Sequence, residues 1–65
     1  MIVTYVVLSS CDDNGDLLAG GARVLDRFTD RTVAERFVRE ALELYQRKGV
    51  PIGIGCLWIE EWKGP

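Results

Sequence analysis

Sixty-five residues make one domain near the lower limit for a chain that folds alone, since a domain this size buries only ~60% of its unfolded surface. A hydrophobic content of 48% argues against disorder, and a formal net charge of −2 without a basic stripe argues against direct DNA or RNA binding. The chain has no histidine, which removes the commonest zinc ligand and the commonest general base.

Residues 2–9, IVTYVVLS, are apolar at nearly every position and rich in β-branched and aromatic types. That pattern predicts a central strand covered on both sides. The apolar run is far shorter than the about 20 residues a bilayer-spanning helix needs. No basic residue precedes it, so it is not read as a signal peptide, and a cytoplasmic protein of a bacterial host is expected.

CDDNGD follows at residues 11–16. Asp12, Asn14 and Asp16 match the first ligand positions of an EF-hand loop, but Leu17 stands where the invariant glycine belongs and Arg23 where the bidentate glutamate belongs. A turn accounts for these residues without a metal. Asn14-Gly15 predicts a type I′ hairpin turn, with a second strand returning antiparallel somewhere within residues 16–28. Gly20-Gly21 suggests a bulge, a bend or a close contact, and RVLDRF after it alternates as a half-exposed strand does.

Ala34, Phe37, Val38, Ala41 and Tyr45 recur at the spacing of one buried helical stripe, flanked by Leu42 and Leu44. Thr32 with Glu35 fits a capping box, with Asp30 as a rival N-cap. Gly49 and Pro51 mark the helix end. The polar face offers the i,i+4 pairs Glu35–Arg39 and Glu43–Arg47. IGIGCLWIEEW, residues 52–62, reads as a third strand. The expected class is α+β in the order β-β-α-β, a single domain over residues 1–65. Its three-stranded antiparallel sheet has order 2-1-3, with one helix packed on one face.

No chemistry emerges from the motifs. GIGCLW lacks the third glycine and following helix of a dinucleotide loop, and AGGA lacks the Lys-Ser/Thr of a phosphate loop. Ser9, Ser10 and Cys11 have no base beside them, and Glu60-Glu61 point to opposite faces of a strand. Cys11 and Cys56 lack CxxC spacing and read as two small buried or half-buried thiols. No enzyme activity, metal or cofactor is expected.

A binding role fits better. Alternation puts Val3, Tyr5 and Val7 on one side of the sheet and Ile2, Val6 and Leu8 on the other. Ile54, Cys56, Trp58 and Trp62 oppose Leu57 and Ile59 on the third strand. One helix covers one face, so the other calls for a protein partner or a second copy of the chain. Loops and long side chains are the rival cover. The candidate contacts are Asp12, Asp13 and Asp16 at the hairpin tip, with Glu60, Glu61 and Trp62 as a second patch at the opposite end of the sheet. An acidic tip engages a basic groove by steering and a few charged contacts.

The layout YVVL…DDNG…FTDRTVAERFVREAL…LWIEEW resembles small uncharacterised ββαβ proteins of phage and bacterial genomes. In its size, mild acidity and lack of chemical motifs the chain also looks like the anti-CRISPR inhibitors of phages and mobile elements. That resemblance implies a protein partner, a basic nucleic-acid-binding subunit of a CRISPR effector, blocked by steric and electrostatic occlusion. A structural or regulatory homodimer is the alternative.

Overall fold

A computed structural model describes residues 2–50, 52 and 56–64 of the chain. Strand β1 (Ile2–Ser9) is followed by β2 (Arg23–Phe28), helix α1 (Arg31–Arg47) and β3 (Leu57–Gly64). The sheet order is β2-β1-β3, and β1 runs antiparallel to both neighbours. The expected α+β class, element order and strand order are therefore those observed. Met1, Pro51, Gly53, Ile54, Gly55 and Pro65 lie outside the described residues, and with them the readings placed on Pro51, Ile54 and the G-x-G glycines. The strand predicted over residues 52–62 begins at Leu57 and continues to Gly64.

β1 takes the centre because it is the most apolar strand. Val6 and Val7 are fully buried, Leu8 and Ser9 nearly or wholly so, while Ile2 at the sheet's far end is exposed. Pairing of β1 with β3 runs unbroken from Ile2↔Gly64 to Ser9↔Leu57. Pairing with β2 slips between Val7↔Asp26 and Leu8↔Val24, which leaves Leu25 as the extra residue of a β-bulge. Gly20-Gly21 is therefore not the bulge. Gly21, at φ +97°, closes a turn by donating its N–H to the Leu18 carbonyl, and no atom crowds either glycine.

The Asn14-Gly15 prediction is corrected in detail. Among the described residues the left-handed conformation occurs only at glycines, so Asn14 does not adopt it and the turn is not type I′. Gly15, at φ +85°, donates its N–H to the Asp12 carbonyl. One carboxylate oxygen of Asp12 accepts from the backbone N–H groups of Asn14 and Asp16. These bonds close a small local loop, bridged at Cys11↔Leu17, before the chain reaches β2. Local side-chain acceptance thus wins over a direct two-residue hairpin.

Helix α1 starts on Asp30, whose carboxylate accepts the Thr32 N–H at 2.8 Å. The capping box centred on Thr32 does not form, because Glu35 turns to Arg31 at 3.1 Å instead. That contact also replaces the expected Glu35–Arg39 pair, and no ion pair joins Glu43 to Arg47 among the described residues. At the other end Gly49, at φ +71°, donates to Gln46 and Val50 donates to Tyr45, the two bonds of a Schellman motif. Ala34 is fully buried, and Phe37, Val38, Ala41 and Tyr45 are half-buried. Phe37 meets Phe28 of β2 with ring centroids 5.4 Å apart and planes tilted by 51°, a favourable aromatic geometry. Register then places Phe28, Tyr5, Val7, Leu57 and Ile59 on the helix side of the sheet.

Candidate functional site

Among the described residues no helix covers the other sheet face. Period-two alternation in β3 brings Trp58, Glu60 and Trp62 onto it, opposite Leu8, Val6 and Thr4 of β1. Arg27 of β2 flanks Val6 from the other side. The Glu60 carboxylate accepts the Trp58 indole N–H at 2.8 Å on one oxygen and the Trp62 indole N–H at 3.0 Å on the other. The Arg27 guanidinium sits 5.9 Å from the centre of the Trp62 ring, within cation–π range.

This arrangement fits the burial pattern. The two indoles reach toward Glu60 from either side along the strand, and Glu60 stands opposite Val6, which is 0% exposed. The rival reading of the sequence, cover by long side chains, holds for the middle of the face. The rim stays apolar and open: Trp62 is 42% exposed, Val24 39% and Ile2 64%. Hydrogen bonds from Trp58 and then Trp62 hold the Glu60 carboxyl below the usual glutamate range, because both stabilise its ionised form.

The remaining candidates are placed elsewhere. Glu61 points to the helix side and pairs with Arg31 at 3.0 Å, and Arg31 also holds Glu35. At the loop tip Asp12 is occupied by its own turn. Asp13 pairs with Arg23 at 2.9 Å, and that hydrogen bond and charge hold its carboxyl below the usual range. The carboxylate of Asp16 makes no described bond. The tip follows Ser9, whereas Glu60, Glu61 and Trp62 stand opposite Val6, Tyr5 and Thr4, so the two patches are separate.

The structure thus joins Glu60 with Trp62 and divides both from the aspartates. It adds Trp58, Arg27, Val24 and Ile2, which the sequence reading did not list as contacts. The signal was there in WIEEW, since Trp-x-Glu-x-Trp puts three side chains on one strand face. No group of three or more histidine, cysteine or acidic side chains among the described residues is placed to hold a metal ion. No described helix is long and apolar enough to cross a membrane. Comparison with family models, curated proteins and solved structures gave no match.

Proposed function

We propose that this chain is a small inhibitor that binds another protein through the open face of its sheet. In its most specific form the target is a basic, nucleic-acid-binding subunit of a CRISPR effector. The observation that carries this reading is the cluster on β3: an aromatic ring left 42% exposed beside an ionised carboxylate that fixes its orientation. Interface hot spots favour tryptophan anchors that are already held in place, because less side-chain freedom is lost on binding. Glu60 complements a basic groove on the contact face, while the net charge of −2 speeds encounter from a distance. Occlusion is then steric and electrostatic: the small domain occupies surface that nucleic acid would otherwise take.

The test is a pull-down with a nucleic-acid-binding competition assay on a candidate effector. Trp62→Ala and Glu60→Lys abolish inhibition in this reading. Reversal of Asp12, Asp13 and Asp16 together weakens it less, since two of the three already serve the loop. Full inhibition by both single variants rejects the open face as the contact.

A second reading, a regulatory homodimer, draws on the eight-residue strand β3, which forms an edge of the sheet beside the same aromatic rim. Light scattering at micromolar concentration separates the two: a tight dimer favours self-association and a monomer favours the inhibitor.

A further inference from the structure

Cys11 and Cys56 are 45 positions apart in the chain, yet the Cys11 thiol donates to the Cys56 sulfur at 3.0 Å. Backbone geometry holds them there. The Ser10 N–H donates to the Cys56 carbonyl at 2.9 Å, extending the β1–β3 ladder one step past Ser9↔Leu57. The buried Ser9 hydroxyl accepts the Cys11 N–H at 3.1 Å and donates to the Cys11 carbonyl at 2.9 Å, which fixes where the Cys11 side chain leaves the strand end. Cys11 is 2% exposed, whereas Cys56 is only half-buried.

We infer that Cys11 and Cys56 form a redox-responsive dithiol that closes to an intramolecular disulfide by exchange with a low-molecular-weight disulfide such as oxidised glutathione. Cys56, the less buried of the two, gives up its proton to solvent and its thiolate attacks one sulfur of the small disulfide. That S–S bond breaks, and one small thiolate leaves and is protonated. Cys11 then loses its proton and attacks the Cys56 sulfur. The Cys11–Cys56 bond forms, the second small thiolate departs and is protonated, and two electrons have passed from the protein to the small disulfide. The hydrogen bond to Cys56, followed by burial, holds the Cys11 thiol above its ordinary value. Cys11, buried against the Cys56 sulfur, serves as the resolving sulfur, and rising pH speeds both thiolate attacks. The product ties the loop carrying Asp12, Asp13 and Asp16 to the entrance of β3. A crosslink across so long a stretch of chain restricts the unfolded state and raises stability.

The reduced protein is incubated with oxidised glutathione at mildly alkaline pH and followed by intact mass, alkylation of remaining thiols and thermal melting. The expected product is a monomer lighter by two hydrogens, closed to alkylation, melting above the reduced form and restored by dithiothreitol. Cys11→Ser, or Cys11→Ala if the serine does not fold in that buried position, stops at a glutathione adduct on Cys56, and Cys56→Ser stays unmodified. A wild-type protein that stops at the mixed disulfide, forms covalent dimers or keeps both thiols overturns the inference.

Discussion

The Glu60 carboxylate accepts the Trp62 indole N–H at 3.0 Å, two residues along the same strand face, and so lays a large ring along the open side of the sheet. The other oxygen of the same carboxylate does this for Trp58. One acidic residue thereby orients two tryptophans and stands opposite the buried Val6. Glu60→Ala should release both rings. Faster hydrogen exchange at both indole N–H groups and red-shifted tryptophan emission are the expected readouts, with a modest fall in melting temperature. Unchanged indole exchange contradicts the arrangement.

The carboxylates give the domain an acid sensitivity of defined sign. Glu60 and Asp13 titrate lower in the folded chain than their ordinary values of 4.5 and 3.8. Their contribution is thus fully present above those values and is lost as pH falls through the lower, folded ones. Both groups are exposed, so the effect is small and weakens with added salt. Acid titration followed by tryptophan emission should show loss of stability below the ordinary carboxylate range, with a smaller slope in Glu60→Gln.

Two glycines separate backbone strain from packing. Neither Gly49 nor Gly20 has a heavy atom within 4 Å of where a Cβ would stand, but only Gly49 is left-handed, at φ +71°. Gly49→Ala should cost about 1–2 kcal/mol through conformational strain alone. Gly20→Ala should stay within about 0.5 kcal/mol of wild type, as surface substitutions away from special backbone do. Urea midpoints of the two variants measure the difference.

Phe37 packs against Phe28 where the helix meets β2. Phe37→Ala should destabilise by about 2–3 kcal/mol, less than a fully buried phenylalanine because this ring is half-buried. In a domain of this size that is a large share of the total. Loss of helical circular dichroism at a lower denaturant concentration is the expected readout, and an unshifted midpoint removes this pair from the core.

Asp30→Ala removes the N-cap and should cost about 1 kcal/mol, while Thr32→Ala should cost less, since the helix begins on Asp30. The reverse ranking in thermal melts restores the capping box that the sequence suggested.

Much of the fold was legible in the residues themselves. The bounds of β1 and of RVLDRF, the helical stripe and the Gly49 stop follow from periodicity and from backbone preferences, which act over a few neighbours. The strand order followed from placing the most apolar strand in the middle. The loop was legible only as a turn. Its form depended on which N–H groups Asp12 accepts and which residue goes left-handed, a contest between options of similar energy.

Composition and spacing by themselves determined a small α+β domain with one helix for two apolar sheet faces. Tertiary structure decided what became of the spare face. Register set Glu60 across from Val6 and on the same face as Arg27, and the packing of the chain paired Glu61 with Arg31 and Asp13 with Arg23. It also brought Cys11 to Cys56 across most of the chain. Such contacts depend on long-range pairing and side-chain direction, which no local pattern of residues encodes.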